Sequence, residues 1–242
     1  MSAPKRFFSN NINYPENSEV FLDGEEFVHA KTVLRVTEGS EIVLLDNGGN
    51  EYPAIVTKVE KSRLSAHITG VNAGEREAKT RLYLLIGALK GDKTELVVQK
   101  ATELGVAEIG VFSSQYCSAY MNENKLERLR KVAREAAKQC LRSVAPEVKY
   151  FGNLADALSS AAGYDNRLFF CEFAKESQDD FKKIKGSAAL VVGSEGGFSD
   201  AEFLQAKNAG FAGMSLGKRI LRAETAAVSV CALAAYFSGE LE

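Results

Sequence analysis

Two glycine-rich segments near the carboxyl end contain the residue types best suited to ligand binding and catalysis. The first runs from Gly193 to Gly197 (Gly-Ser-Glu-Gly-Gly), and the second runs from Leu216 to Ala226 (Leu-Gly-Lys-Arg-Ile-Leu-Arg-Ala-Glu-Thr-Ala). Each follows a short apolar run and precedes a helical pattern, so each is predicted to join a buried strand to a helix. We expect the two strand ends to be neighbours and to form a ligand crevice at the carboxyl edge of a parallel sheet.

The first segment favours a neutral or cationic ligand over a phosphate. Glu195 would place a carboxylate beside a bound anion, which Coulomb repulsion opposes. Glycines allow close backbone approach, so main-chain N–H and C=O groups can contact the edge of a base such as adenine. An ordinary strand–turn–helix connection is the alternative, and it would account for this segment if the segment stood alone.

The second segment concentrates three cations, Lys218, Arg219 and Arg222, just before a predicted helix, together with Glu224. The amino end of a helix carries a positive partial charge, so cations are disfavoured there unless they have a partner. This placement indicates an anionic ligand. Scattered surface charges are the alternative.

A third glycine segment, from Gly87 to Thr94, resembles a phosphate-binding loop but lacks its spacing. A P-loop has four residues between its glycines and Lys directly after the second. Here three residues separate Gly87 from Gly91, and Asp92 precedes Lys93. ATP or GTP hydrolysis is therefore not expected.

Composition limits the remaining classes. The 242 residues are 45% hydrophobic and 26% charged with a net charge of −2, which fits a globular protein and argues against a surface that is basic throughout. The four cysteines form no C-x-x-C pair and there are two histidines, so we expect free thiols in a reducing compartment and no zinc site. No signal peptide or membrane-length apolar run is apparent, which predicts a cytoplasmic protein.

Residues 1–72 are predicted to be β-rich. Strands at 41–46 and 52–59 flank Asn47-Gly-Gly-Asn50, a hairpin signal, and a further strand follows at 64–71. One short helix is predicted over 25–34, and the short strands suggest a small barrel. This part has seven basic and ten acidic residues, a net charge of −3. Residues 72–80 read as a linker.

The remaining chain alternates strands with helices, which predicts a parallel sheet covered by helices on both faces. The predicted strands cover residues 82–89, 109–113, 168–171, 188–192 and 214–216. The predicted helices cover 94–104, 125–141, 154–161 and 225–237, and a capping box at Ser199 and Glu202 predicts one more helix start.

Several motifs together resemble the RsmE family of ribosomal RNA methyltransferases, which belongs to the SPOUT superfamily. The resemblance rests on blocks spread over the whole chain: Arg6-Phe-Phe8, His29 with Val33-Leu-Arg35, Lys90-x-x-Lys93-x-Glu95, Gln99 to Val106, Glu135-Ala-Ala-x-Gln-x-x-Arg142, Pro146-Glu147, Gly193-x-Glu-Gly-Gly-Phe-Ser-x-x-Glu202, and Leu216 to Ala226. The chain departs from the family at Ser114-Gln-Tyr-Cys117, where Ser-Glu-Arg-Ser is usual, and at Ser194, where Pro is usual.

The resemblance implies an α/β protein of two domains. Residues 1–72 would form a PUA-like, RNA-binding β-barrel, and residues 73–242 a SPOUT domain with a parallel sheet and a deep carboxyl-terminal trefoil knot. It also implies a homodimer that uses S-adenosylmethionine, yields S-adenosylhomocysteine and needs no metal. The substrate would be N3 of a uridine in 16S ribosomal RNA, in the assembled small subunit.

Carried onto this sequence, the resemblance also implies site residues. We expect Arg222, with Arg219 as second choice, to stabilise charge on the uracil oxygens, and Glu224 to act as the base or to orient Arg222. The expected cofactor residues are Leu168, Glu172, Val192, Gly193, Glu195, Gly196, Gly197, Leu216, Gly217, Ile220, Leu221, Arg222, Thr225 and Ala226. The expected RNA phosphate contacts are Lys5, Arg6, Arg35, Lys90, Lys93 and Arg219.

Three other functions remain open at this point. A SPOUT enzyme acting on another nucleotide would share nearly all of these features. A non-enzymatic RNA-binding module would explain the amino-terminal part but not the two glycine segments. A methyltransferase for small molecules would leave the amino-terminal part without a role.

Overall fold

The computed structural model describes residues 4–174 and 184–241, and the chain divides into two compact units. The first unit contains the residues up to 77 together with 137–145, and the second contains 78–136 and the residues from 146 onward. The predicted boundary at residue 72 assigned 73–77 and 137–145 to the second region. They join the first because the Gly74 N–H donates to the Gly49 carbonyl oxygen at 2.7 Å and the Ala145 N–H donates to Asn47 Oδ1 at 2.8 Å. Glu77 then holds the two segments together by accepting hydrogen bonds from the Arg142 side chain and the Ser143 main-chain N–H.

The first unit is built on a six-stranded sheet. Its strands are β1 (Lys5–Phe8), β2 (Glu19–Leu22), β3 (Glu41–Leu45), β4 (Asn50–Val59), β5 (Leu64–Ile68) and β6 (Asn72–Ala73). They follow the order β1-β3-β4-β5-β2, with β6 beside β4, and only the β1–β3 pair is parallel. The predicted β3–β4 hairpin is confirmed. Asp46 accepts the N–H of Gly48 at 2.7 Å and of Asn50 at 3.1 Å, which closes the turn.

The predicted helix over 25–34 exists as two short segments. α1 (Gly24–Val28) continues as a π-helical turn (His29–Val33). Phe27 and Ala30 from these segments pack on inward-facing strand residues such as Leu44 to form the core of the unit.

The second unit is built on a wholly parallel sheet, as predicted, but the sheet has six strands where the sequence predicted five. Its strands are β7 (Arg81–Gly87), β8 (Glu108–Phe112), β9 (Glu147–Phe151), β10 (Asn166–Phe170), β11 (Ser187–Val192) and β12 (Ala212–Met214). They follow the order β12-β10-β11-β7-β8-β9. The expectation that β11 and β12 are neighbours is wrong, because β10 lies between them and pairs with both. Strand β9 was not predicted, since this edge strand is only partly buried and lacks a continuous apolar run.

Helices cover both faces of this sheet. They are α2 (Lys93–Glu103), α3 (Glu123–Gln139), α4 (Leu154–Ser160), α5 (Asp200–Asn208) and α6 (Ala223–Phe237). Successive residues of β7 point into different cores: Leu84 packs with residues of α2 and α6, and Leu85 with residues of α4 and α5. The predicted capping box is confirmed, since Ser199 and Glu202 exchange both hydrogen bonds at the start of α5. In the described ranges, no helix combines the length and apolar character needed to cross a membrane.

Candidate active site at the carboxyl edge of the parallel sheet

A cavity of about 530 Å³ lies where β10, β11 and β12 end, and the loop before α6 forms one of its walls. A volume of this size is typical of sites for small organic ligands. Most of the expected cofactor residues line it: Glu172, Val192, Gly193, Glu195, Gly196, Gly197, Leu216, Gly217, Ile220, Leu221, Arg222 and Ala226. Leu168 does not, because it is buried in the core, and Thr225 is exposed on α6.

Phe173, Phe198 and Ser215, which were not expected from the sequence, also line the cavity, as do Phe170, Cys171 and Ser194, which were expected there. Phe170 ends β10, and Cys171 and Phe173 follow it; this part of the chain enters the site because β10 separates β11 from β12. Phe198 packs on Phe169 with ring centroids 4.2 Å apart. Burial raises the pKa of the Cys171 thiol to about 11, so this group stays protonated at neutral pH.

Two glycines allow the loop from Gly193 to Gly197 to lie close to neighbouring strands. A Cβ atom at Gly196 would be 2.6 Å from the Tyr116 Cβ and 2.7 Å from the Tyr116 carbonyl oxygen. A Cβ atom at Gly87 would be 2.5 Å from the Ser194 nitrogen. Gly87, the first glycine of the apparent P-loop, therefore gives the end of β7 room for this loop.

The segment that departs from the family pattern, Ser114 to Cys117, supports the same loop. The Gln115 N–H donates to Glu202 Oε1 at 2.8 Å, and Glu202 is the carboxylate that caps α5. Together with the contact of Tyr116 on Gly196, this bond connects the end of β8 to the segment from Gly193 to Glu202.

A lysine and two carboxylates meet at the cavity wall. The Lys93 ammonium lies 3.3 Å from Glu195 Oε1 and 3.7 Å from Glu224 Oε1, and Glu195 Oε1 also accepts the Lys90 N–H at 3.1 Å. Burial alone would raise the pKa of Glu195, but hydrogen bonds from main-chain N–H groups and from Lys93 outweigh it and lower the pKa. Glu195 is therefore an anion at neutral pH. Lys93, expected at an RNA phosphate, is instead bound to the cavity carboxylates, while the Lys90 side chain is exposed.

Two polar atoms of cavity residues lack protein partners. In the part of the chain that the structure describes, Ser194 Oγ and Glu224 Oε2 are buried and make no hydrogen bond. An unsatisfied buried polar atom costs about 1–3 kcal/mol. Ligand groups that donate hydrogen bonds, such as hydroxyl or N–H groups, would remove this cost.

The loop before α6 presents cations at the cavity. Within residues 4–174 and 184–241, the side chains of Lys218, Arg219 and Arg222 take part in no hydrogen bond or ion pair. Arg222 occupies the N-cap position of α6. Glu224 forms an ion pair with Lys93, and none with Arg222 in the described residues, which disfavours the expectation that Glu224 orients Arg222.

The first unit holds the other expected RNA contacts. Arg6 is 8% exposed and binds Glu51 through both terminal nitrogens, at 2.6 and 3.2 Å. Lys5 donates to the Leu34 carbonyl oxygen. Both cations are thus engaged within the unit, whereas Arg35 is exposed and has a positive φ of 49°. Among the residues described, no group of three or more His, Cys, Asp or Glu side chains could hold a metal ion.

Comparisons with known proteins identify ribosomal RNA methyltransferases as relatives over most of the chain. Residues 76–235 match the family model of an RNA methyltransferase domain, and residues 22–69 match that of an RNA methyltransferase PUA domain. The chain is 32% identical over 226 residues to ribosomal RNA small subunit methyltransferase E of Mesomycoplasma hyopneumoniae, with 92% of this chain and 95% of the relative covered. It is 31% identical over 217 residues to the Bacillus subtilis protein of the same name, with 85% of each covered.

Solved structures show the same fold with a ligand bound. Ribosomal RNA small subunit methyltransferase E from Neisseria gonorrhoeae, bound to S-adenosylmethionine, superposes with a TM-score of 0.89 at 28% identity over 99% of this chain and 100% of that chain. A Legionella pneumophila protein in complex with the same cofactor superposes with a TM-score of 0.90 at 27% identity over 98% of this chain and 99% of that chain.

Proposed function

Because this chain belongs to the ribosomal RNA small subunit methyltransferase E family, we propose that it methylates N3 of a uridine in 16S ribosomal RNA. S-adenosylmethionine is the methyl donor in this proposal. The observation that carries it is a single cavity that joins glycine loops, the Glu195 and Glu224 carboxylates held by Lys93, and cations without protein partners in the described residues.

The residues present fit this cofactor. Glu172, Glu195 and Glu224 each bring a carboxylate to the cavity, and these carboxylates would pair with the positive sulfonium and ammonium of the cofactor. The apolar side chains of Leu216, Ile220 and Leu221 would pack on the adenine, and main-chain groups of the loop from Gly193 to Gly197 would hold its edge. When bound, the cofactor supplies a methyl group on a positively charged sulfur, ready for transfer to a nucleophile.

Two side chains are assigned to the uridine. Its N3 is a weak nucleophile while protonated, so the proton must leave. Glu224 Oε2 is a buried acceptor without a protein partner, and we assign it as the acceptor of the N3 proton. Deprotonation places negative charge on the uracil oxygens. The Arg222 guanidinium, which has no bound carboxylate in the described part of the chain, is assigned to stabilise that charge, with Arg219 as second choice.

The proposal includes the larger features that the family resemblance implies. The chain passes from β11 across β10 to β12 before it enters the loop at the cavity, and this order supports a carboxyl-terminal trefoil knot. Tyr236 and Phe237 on α6 are 59% and 38% exposed, which supports a homodimer that covers them. The first unit is proposed to bind the small-subunit RNA, and the enzyme to work in the cytoplasm.

The test is methylation of small ribosomal subunits from a strain lacking this gene. Purified protein and S-adenosylmethionine should add one methyl group at N3 of one uridine of 16S ribosomal RNA, as located by mass spectrometry of RNA fragments. A methyl group found on another nucleotide would show that the protein is a SPOUT methyltransferase with a different target, and the N3 assignment would be wrong. No incorporation into assembled subunits or free RNA would reject the function.

A further inference from the structure

Four of the seven basic residues of the segment 1–72 converge at the turn between β4 and β5. Three bind Glu60: Lys58 Nζ lies 2.9 Å from Oε1, Arg63 Nε lies 2.6 Å from Oε2, and Lys31 Nζ donates to the main-chain oxygen at 3.0 Å. The fourth, Lys61, is exposed in the same turn. We call Lys31, Lys58, Lys61 and Arg63 the Glu60 cluster.

The Glu60 cluster is more positive than the segment that contains it. Glu60 lies in the turn, Glu38 Oε1 accepts the Val59 N–H at 3.3 Å, and Asp23 follows Leu22, which pairs with Leu64 beside Arg63. Four positive and three negative charges leave a local excess of one, although the whole segment carries −3. Hydrogen bonds from Lys58 and Arg63 lower the pKa of Glu60 to about 2, so this anion persists at neutral pH and orders both cations without neutralising the cluster.

An exposed aromatic ring adjoins these cations. Phe21 on β2 is 42% exposed, and the central guanidinium carbon of Arg63 lies 4.8 Å from its ring centroid. The Lys58 and Arg63 side chains are 64% and 52% exposed, so their charges remain available to a partner. Cations beside an exposed ring suit an unpaired nucleotide, because the cations bind phosphates while the ring stacks on a base.

We propose that the Glu60 cluster and Phe21 form a binding surface for single-stranded RNA, with phosphates at the lysines and one base stacked on Phe21. This surface deepens the proposed function, since it assigns part of the ribosomal RNA contact to the first unit. It differs from the expected contacts at Lys5 and Arg6, which are engaged with Leu34 and Glu51. An acidic protein would satisfy the cations but would gain nothing from base stacking on Phe21.

The experiment measures binding of the full-length protein to single-stranded 16S ribosomal RNA fragments at several salt concentrations. Each phosphate contact adds about 0.7 to the slope of log affinity against log salt for single strands. Lys58→Gln combined with Lys61→Gln should therefore lower the magnitude of the slope by about 1.4. Phe21→Leu keeps an apolar side chain but removes the ring, so affinity should fall about tenfold with the slope unchanged.

Lys149→Gln is the matched control. Lys149 is an exposed lysine paired with one carboxylate, Glu147, at 2.7 Å, as Lys58 is paired with Glu60. It should leave affinity and slope as in the unmodified protein. Equal effects of Lys149→Gln and of the combined Lys58→Gln and Lys61→Gln variant would overturn the proposal. A Phe21→Leu variant that binds like the unmodified protein would also overturn it and would indicate a general polyanion surface.

Methylation separates this proposal from the proposed function. Remote phosphate contacts act on binding, so the cluster variants should raise KM for small subunits and leave kcat unchanged. An active enzyme whose KM and salt slope are insensitive to the cluster variants rejects the RNA surface alone. An unmodified protein that methylates no ribosomal RNA rejects the function, whatever the binding results.

Discussion

Lys93 Nζ, at the first residue of α2, lies 3.7 Å from Glu224 Oε1 in the first turn of α6. The same ammonium lies 3.3 Å from Glu195 Oε1, so one cation connects the loop after β11 to the helix that carries the assigned base. Glu224 is mostly buried, with a side chain 13% exposed, and Lys93 is the cation found beside it. Lys93 therefore acts on the cavity through two carboxylates, and this placement differs from the expected contact with an RNA phosphate.

Replacing Lys93 by Met should lower kcat at least tenfold, because two carboxylates of the cavity lose their shared counter-charge. Lys93→Arg should recover most of the activity. The salt slope of RNA binding should not change, whereas loss of a phosphate contact would reduce it by about 0.7. Lys90→Met is the control for loss of a lysine side chain from this part of the chain, because it keeps the main-chain N–H bond to Glu195. A reduced salt slope with normal kcat would instead show that Lys93 contacts an RNA phosphate.

Arg222→Ala should reduce kcat by about 10²–10³-fold, the typical cost of removing one group that stabilises developing charge. Cofactor affinity, measured by calorimetry, should stay near that of the unmodified protein. Lys218→Ala removes a cation from the same loop and should have a smaller effect on kcat. Equal losses of cofactor affinity and activity in Arg222→Ala would assign the guanidinium to the cofactor instead.

Glu224→Gln keeps the shape of the side chain but removes its ability to accept a proton. We expect kcat to fall by about 10²–10⁴-fold, as for loss of a general base. The measurement is single-turnover methylation with saturating cofactor, which isolates the chemical step. A variant that retains full single-turnover rate would show that the N3 proton leaves by another route.

Gly196→Ala should destabilise the loop at the cavity, because the new Cβ would lie 2.7 Å from the Tyr116 carbonyl oxygen. Forcing an extra methyl into a filled space typically costs about 1–3 kcal/mol. The expected results are a lower Tm and weaker cofactor binding. Gly152→Ala is the matched control, since no heavy atom lies within 4 Å of a Cβ there. Similar Tm values for both variants would argue against the close approach at Tyr116.

The sequence by itself determined the elements that depend on neighbouring residues. Asn47-Gly48-Gly49 predicts the β3–β4 hairpin because its turn is closed locally by Asp46, and the Ser199–Glu202 box predicts the start of α5. The alternation of apolar runs with helical patterns predicts a parallel sheet, because each run and each helical pattern is read from residues close together in the chain. The glycine loops could also be recognised from the sequence, since glycine is the residue that allows another group to approach the backbone closely.

Only the tertiary structure decided which distant residues meet. β10 separates β11 from β12, and no local pattern encodes this order because strand pairing joins residues far apart in the chain. Likewise, Arg6 is bound by Glu51, Lys93 by Glu195, and Lys31 by the main-chain oxygen of Glu60, and all three pairs join residues far apart in the chain. The sequence shows the same residue whether its charged side chain is exposed or paired with another charge. Its partner, and therefore its role, is set by packing of the whole chain.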